Sequence, residues 1–321
     1  MTSNEIEQGG VIKRHQRDLL KSTAALSRAK QTAETVETPS ENWIAEYALS
    51  VDSTTDELHD QHGRPFDAVS YSEFKYGSHI QAARFAERLA DFIDERIPAS
   101  DNLVMSSGGY KEIPSAAALL TGYVHEKLNE KRRDRGSALV PMVKIRRLDI
   151  HPGDYSKLSS AERLKLMRKT AFAVPEEVRG RHILLIDDVR VTGAHESQMR
   201  QWLKSAGARE VTFIYLAMIV DDGGKDAEEL LNQARIHTLD DLSQVIARGS
   251  YSITSRAVKF VVSETDEVAL SRFLDALPDQ ILLDIHRGAI GNGFATMPLY
   301  EKQCAIVAET IRVRRLGNSC C

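Results

Sequence analysis

Apolar and polar positions follow two different periods along the middle of the chain. Short apolar runs of strand length are followed by segments whose apolar residues recur every three or four positions, as on one face of a helix. The predicted strands lie at 102–107, 138–145, 183–186 and 210–220, and the predicted helices at 80–93, 115–131 and 196–206. Strands that are apolar on both faces and alternate with helices are typical of an α/β fold, so we predict a mostly parallel sheet flanked by helices.

The pattern is weaker at both ends of the chain. Residues 1–65 are polar and broken, with a loose helical pattern at 13–35, so we predict an N-terminal leader that wraps the core or makes oligomer contacts. The core domain is then 66–220, and 221–321 form a C-terminal extension of α/β or helical character. Its predicted elements are helices at 226–234, 239–246, 267–277 and 299–311, a strand at 257–262 and a glycine-rich loop at 286–294. We interpret that loop as a connection, with a substrate-lining loop as the alternative.

Composition narrows the class of protein. The 321 residues are 42% hydrophobic and 27% charged, as in an ordinary globular protein, and the net charge of −4 argues against a general nucleic-acid binder. No apolar run has transmembrane length, and three cysteines are too few for a disulfide framework. We therefore expect a cytoplasmic protein that engages neither nucleic acid nor membrane.

Two adjacent carboxylates follow the most apolar of the predicted strands. Asp187 and Asp188 end the run at 183–186, and a tight turn at Gly193 leads into the next helix. Adjacent carboxylates can accept hydrogen bonds from the two neighbouring hydroxyls of a ribose, and backbone N–H groups at a helix start can bind a phosphate. The alternative is a buried strand that ends in an ordinary Asp-Asp turn. The full order of strand, acids, glycine turn and helix favours a ribose-phosphate site.

This segment resembles the motif with which type I phosphoribosyltransferases bind phosphoribosyl pyrophosphate (PRPP). The resemblance implies that Asp187 and Asp188 are the catalytic acids, bind the ribose hydroxyls and help to orient Mg²⁺. It implies that the following loop holds the 5′-phosphate with Thr192, Gly193, Ala194, His195 and Glu196. The family loop usually reads Thr-Thr-Gly-x-Thr, whereas this chain has Val191 and His195 at two of the hydroxyl positions.

Two further segments match the family in order along the chain. The turn after the 102–107 strand corresponds to the pyrophosphate loop, with Ser107, Gly108, Gly109 and Lys111 as implied ligands. A Lys-Tyr-Gly-Ser turn resembles the substrate-covering segment of orotate-type enzymes and, more closely, of phosphoribosyltransferases from tellurium-resistance operons. Lys75 would meet an anion and Tyr76 would stack on a flat ring, unless the aromatic residues simply belong to the core.

The long polar segment 149–170 carries several lysines and arginines. In the family a flexible basic flap occupies this place, and a solvated surface helix is the plain alternative. We expect a phosphoribosyltransferase that uses Mg²⁺, takes PRPP and an unidentified small-molecule acceptor, and forms a homodimer. The second hypothesis is a non-catalytic PRPP- or nucleotide-binding regulatory protein, which the departures at Val191 and His195 favour.

Overall fold

A five-stranded sheet lies at the centre of the computed structural model, which describes residues 43–52, 54–148, 172–220 and 224–317. Its strands are β1 (Trp43–Asp52), β2 (Glu57–His59), β3 (Leu103–Ser107), β6 (His182–Arg190) and β7 (Glu210–Ile219). The strand order is β2-β1-β7-β6-β3, and every pair is parallel except β1 with β2. A separate antiparallel pair consists of β4 (Arg146–Arg147) and β5 (Phe172–Ala173).

The register of the sheet brings the ends of β3 and β6 to one edge. Ser107, the last residue of β3, pairs with Ile186, and Asp187 pairs with Tyr215 of β7. Consecutive residues of β6 from Ile183 to Ile186 are buried, because helices cover both faces of the sheet. In such sheets the carboxyl edge is where ligands bind.

Helices of the core domain pack on the two faces. They are α1 (Ala68–Tyr76), α2 (His79–Arg96), α3 (Ala116–Asp134) and α4 (Ala194–Ser205). The side chains of Asp67, Ser78 and Ser115 cap the first three by accepting backbone N–H groups of the first turn. Helices α1 to α3 share one apolar cluster with the sheet, and α4 packs in a second cluster on the other face.

The described part of the C-terminal extension is helical. Its helices are α5 (Gly224–Gln233), α6 (Leu239–Ala247), α7 (Ser255–Val262), α8 (Glu267–Ala276), α9 (Asp279–Gly291) and α10 (Glu301–Gly317). Helices α6 to α10 enclose an apolar cluster of their own, which Tyr76 and Ile113 join from the core domain. In the described ranges no helix combines the length and the apolar character that crossing a bilayer requires.

Polar contacts attach these helices to the start of α2. His79 bonds through Nδ1 to the Tyr123 hydroxyl at 2.7 Å and through Nε2 to Ser252 Oγ at 2.8 Å. The buried Glu73 accepts a hydrogen bond from Arg248 at 2.6 Å. Glu73 is buried, and His79 and Ser252 are half-buried, so these contacts hold the extension on the core because separating them would break their hydrogen bonds.

The predicted α/β class with a mostly parallel sheet is confirmed, and the N-terminal part needs a correction. The sequence pattern predicts an irregular leader over residues 1–65, yet residues 43–52 form β1, which pairs with β7 inside the sheet. Glu46, Ser50 and Asp52 interrupt the apolar residues of β1, and its partner β7 lies far away in sequence, so the local pattern does not mark this segment as a strand. The predicted helix at 13–35 and the basic segment at 149–170 lie outside the described residues.

Three further predictions of secondary structure were wrong. The segment 138–145 runs beside β3 without becoming a regular strand, because Pro141 has no N–H for the ladder. The apolar run 257–262 lies in α7, where Thr254 caps the helix. Most of the predicted loop 286–294 lies in α9, where a Cβ on Gly288 would be 2.8 Å from side chains of Ile113 and Val258. That glycine permits close helix packing and does not mark a loop.

The contact at Gly77 gives a test of how the extension is attached. Gly77 has φ +122°, and a Cβ there would lie 2.0 Å from the Ser252 carbonyl oxygen. We expect Gly77→Ala to lower the free energy of unfolding by about 2 kcal/mol or more, because a backbone atom cannot move aside easily. Denaturant unfolding monitored by circular dichroism measures the change.

Gly122→Ala is the matched control for this substitution. Gly122 lies inside α3 with open space around the Cβ position, so alanine there should stabilise the helix by about 0.5–1 kcal/mol. Equal stability of Gly77→Ala and the wild type would contradict the proposed attachment.

Candidate functional site

The two acids lie at the end of β6, at the carboxyl edge of the sheet. Asp187 Oδ1 accepts the Asp188 backbone N–H at 2.9 Å, and Asp188 Oδ1 accepts the Val189 N–H at 2.8 Å. Each carboxylate is therefore oriented by the backbone, and each has a second oxygen, Oδ2, for other partners.

A lysine from the last turn of α1 neutralises one of the acids. Lys75 Nζ forms an ion pair with Asp188 Oδ2, and the two side chains are only 13% and 9% exposed. The same ammonium lies 5.8 Å from the centre of the Tyr71 ring. Thr254, the N-cap of α7, donates a hydrogen bond to the Lys75 carbonyl oxygen at 2.9 Å, so the C-terminal extension holds the helix end that carries this lysine.

Among the described residues, Asp187 has no such neutralising partner in direct contact. Desolvation by the surrounding protein and the neighbouring Asp188 charge raise the pKa of Asp187 to about 7, against a smaller lowering effect of Lys75. The carboxylate of Glu228, on α5, raises this pKa further. Burial and the neighbouring charge therefore favour the protonated form of the Asp187 carboxyl.

An unpaired hydroxyl is buried beside the acids. Tyr71 is fully buried, and its hydroxyl has no hydrogen-bond partner among the described residues. Burial and the charges of Asp188, Glu228 and Asp187 raise the pKa of Tyr71 well above its usual value. This hydroxyl is a neutral donor next to the carboxylates, and sequence reasoning missed it because Tyr71 has the pattern of a core aromatic residue.

The loop between β6 and α4 makes a sharp turn at a glycine. Gly193 adopts a left-handed conformation with φ +66° at the start of α4. Thr192 is exposed, whereas Val191 packs against the apolar cluster under the sheet edge. The Glu196 N–H donates to the Gly193 carbonyl at 3.0 Å and is therefore engaged in the turn. The side chains of two predicted site residues, Ala194 and His195, lie outside the described part of the structure.

An arginine–glutamate pair spans this loop. The Arg190 Nε donates to Glu196 Oε1, and its guanidinium lies 4.2 Å from the centre of the Trp43 ring. A Cβ on Gly193 would be 2.5 Å from Arg190 Nη2 and 2.9 Å from Glu196 Oε1. Tyr215 also hydrogen-bonds to Glu196, and burial of Tyr215, with the Asp187 and Glu196 charges, raises its pKa. The contacts of Glu196 with Arg190 and Tyr215 are therefore made by its side chain. No pattern in the sequence had indicated Arg190 as a site residue.

The second predicted loop follows β3 at the same edge. Ser107 is buried and its hydroxyl donates to the Gly108 carbonyl at 3.1 Å. A Cβ on Gly108 would meet open space, whereas one on Gly109 would lie 2.6 Å from the Phe172 ring. Only Gly108 of these two therefore leaves its backbone open to a ligand, while Gly109 allows close packing. Lys111 is partly exposed and makes contacts within the protein.

The predicted Lys-Tyr-Gly-Ser turn is only partly a turn. Lys75 and Tyr76 form the last turn of α1, which ends at Gly77. Lys75 joins the acids, but Tyr76 is buried, packs edge-on against Phe260 at 5.2 Å and hydrogen-bonds to Arg256. The structure thus places Tyr76 in the core, the alternative stated for it above, and brings together Lys75, Asp187, Asp188 and the start of the Gly193 loop.

A comparison with models of protein families identifies the family of this chain. Residues 52–307 match the family described as PRTase ComF-like, in which PRTase stands for phosphoribosyltransferase. The chain belongs to the ComF-like phosphoribosyltransferase family. The match confirms the predicted type I phosphoribosyltransferase resemblance, while the closer resemblance to the tellurium-operon and orotate enzymes stays a prediction. Among curated protein sequences, none matches this chain significantly.

Solved structures also resemble parts of the chain. Hypoxanthine-guanine phosphoribosyl transferase of Leishmania donovani is 14% identical over 49% of this chain and 77% of its own, with a TM-score of 0.28. A hypothetical protein from Neisseria gonorrhoeae with bound ppGpp is 13% identical over 50% and 95%, also at 0.28. A protein from Thermus thermophilus is 15% identical over 47% and 96%, at 0.24. Membership in the family rests on the match over residues 52–307.

The raised pKa of Asp187 predicts how an amide at this position changes stability. Between about pH 4 and pH 7 the unfolded chain releases a proton that folded Asp187 retains, so this carboxyl lowers wild-type stability as the pH rises. Asp187→Asn removes that penalty. Its gain in melting temperature should therefore be small at about pH 4.5, grow up to about pH 7 and stay constant above about pH 8.

Thermal unfolding at several pH values tests this expectation. Asp101→Asn is the control, because Asp101 is exposed and water solvates its carboxylate. A gain for Asp187→Asn that does not change with pH would show that the carboxyl is not desolvated in the folded protein.

Proposed function

We propose that this ComF-like family member binds PRPP at the carboxyl edge of the sheet and transfers its phosphoribosyl group to a nitrogen heterocycle or a similar nucleophile. The observation that supports this best is the pair Asp187–Asp188, held at the end of a buried strand next to the Gly193 loop and compensated by Lys75. Ribose hydroxyls would donate to the carboxylates, and backbone N–H groups of the loop would bind the 5′-phosphate.

The transfer reaction requires the protein to position the two substrates and to compensate charge. The acceptor nitrogen forms a bond to ribose C1, the bond from C1 to the pyrophosphate oxygen breaks, and pyrophosphate leaves with the electron pair. The sugar becomes positively charged on the way, so nearby carboxylates stabilise it, and the cation of Lys75 limits their mutual repulsion. Positioning and charge compensation, and not a strong base, carry the catalysis.

Mg²⁺ fits the donors of this edge. It prefers oxygen ligands and is usually held by one or two carboxylates together with substrate phosphates. No group of three or more potential ligands from His, Cys, Asp and Glu occurs in the described ranges, and Asp187 and Asp188 supply two carboxylates. When bound, Mg²⁺ would neutralise charge on the leaving pyrophosphate.

We propose that Ser107, Gly108 and Lys111, in the loop after β3, contact the pyrophosphate. Gly109 instead allows the loop to pack closely against Phe172.

A regulatory PRPP- or nucleotide-binding protein is the second candidate. The observation in its favour is that Val191 packs into the core, where the family usually provides a hydroxyl to the phosphate. Binding without turnover with any acceptor would support this candidate. The cytoplasmic location and the homodimer stay predictions of the sequence.

Calorimetric titration with PRPP and MgCl₂ tests the proposed site. Asp188→Asn should weaken binding by about tenfold or more, because a hydrogen bond to a charged group contributes about 1.5–3 kcal/mol. Gly193→Val should abolish binding, because a β-branched side chain resists the left-handed backbone and would collide with the Arg190–Glu196 pair.

Two controls separate loss of the site from loss of the fold. Asp101→Asn removes an exposed carboxylate, and Gly180→Val places the same side chain at a positive φ of 73° near the start of β6, at the opposite edge. Both should bind PRPP like the wild type. If Gly193→Val binds PRPP as well as Gly180→Val does, the phosphate does not occupy this loop.

The choice between enzyme and regulator needs a measurement of turnover. Wild-type protein, PRPP and MgCl₂ are incubated with a panel of nitrogen heterocycles, and released pyrophosphate is measured. We expect release with at least one acceptor and a loss of two or more orders of magnitude in Asp187→Asn. Tight PRPP binding with no release for the whole panel would instead favour the regulatory protein.

A further inference from the structure

The side chain of Arg190 lies against the glycine of the Gly193 loop. Its Nη2 lies 2.5 Å from the position that a Cβ on Gly193 would take, so the guanidinium lies directly against the loop glycine. Arg190 is the last residue of β6, and Glu196 lies in the first turn of α4. The ion pair between them therefore closes the base of the loop.

The guanidinium is held from two directions. Glu196 accepts a hydrogen bond from Nε, and the Trp43 ring stacks against the guanidinium at 4.2 Å. The side chains of Arg190 and Glu196 are 17% and 9% exposed, so solvent screens the charges weakly. Such a fixed planar cation is suited to the tetrahedral oxygens of a phosphate, which arginine binds through two parallel N–H groups.

We propose that Arg190 supplies the cationic contact of the 5′-phosphate subsite, with Glu196 and Trp43 as its positioning residues. The proposal rests on the proposed function, since it assumes that a sugar phosphate binds in this loop. It also explains a departure from the family pattern: the guanidinium replaces binding energy that the hydroxyl missing at Val191 would have provided. The chemical class of ligand is a phosphate monoester on a sugar.

Glu196 also competes with the ligand in this arrangement. Its carboxylate shares the guanidinium with the incoming phosphate, and the two anions repel each other across the same cation. Glu196→Gln keeps an oxygen that can accept from Arg190 Nε and removes the negative charge. Affinity for a sugar phosphate should therefore rise severalfold in this variant.

Binding of two ligands shows whether a substitution of Arg190 affects only the Gly193 loop or the whole site. Ribose 5-phosphate probes the Gly193 loop, whereas pyrophosphate with MgCl₂ probes the proposed pyrophosphate loop after β3. Arg190→Gln should lower the affinity for ribose 5-phosphate by about tenfold to a hundredfold, the range expected for a hydrogen bond to a charged group. Its affinity for pyrophosphate should not change, and Arg190→Lys should recover part of the loss.

Arg200→Gln is the matched control. Arg200 lies on α4, and its guanidinium stacks at 4.9 Å on the Phe213 ring, much as Arg190 stacks on Trp43. It also donates to the Val211 carbonyl, so its removal tests the loss of a stacked arginine away from the loop. Arg200→Gln should bind both ligands like the wild type.

The outcomes separate this inference from the function on which it rests. If wild-type protein binds ribose 5-phosphate and Arg190→Gln binds it equally well, the role of Arg190 is wrong while the proposed function stands. If Arg190→Gln loses both ligands to the same extent, the arginine is structural and the inference also fails. If wild-type protein binds neither ribose 5-phosphate nor PRPP, the proposed function itself fails.

Discussion

The ion pair between Lys75 and Asp188 is the interaction on which the site depends. Two carboxylates at the end of a buried strand repel each other in poorly solvated surroundings, and a third, Glu228, lies near them. Lys75 compensates one of these charges from a different part of the chain, 113 residues away in sequence. Without this cation, folding would require a further protonated acid or a bound cation at the sheet edge.

The C-terminal helices contribute to this compensation indirectly. Lys75 lies in the last turn of α1, and that turn is fixed by Thr254, which donates to its carbonyl, and by the close approach of Gly77 to Ser252. The extension therefore positions a site residue while remaining outside the sheet. This relation gives the helical extension a physical role in the site that its sequence pattern did not suggest.

The loop after β6 has a left-handed glycine turn although Val191 lacks the hydroxyl that the family resemblance predicts at its position. Val191 turns into the apolar cluster, and the left-handed Gly193 still begins α4. Arg190 and Glu196 then close the loop with opposite charges beside Trp43. Because Trp43 begins β1, the strand that the sequence pattern missed also supports the loop.

The sequence by itself determined the parallel strands β3, β6 and β7, most helices and the positions of Asp187, Asp188 and Gly193 along the chain, because continuous apolar runs and glycine turns are local signals. Local signals could not decide whether residues 257–262 form a strand or a helix, since a short apolar run fits a buried helix as well as a strand. Only the tertiary structure joined Lys75 to Asp188, placed Tyr76 in the core and set Arg190 against Gly193. Those contacts join residues that the chain topology brings together, and neither spacing nor composition encodes such distances.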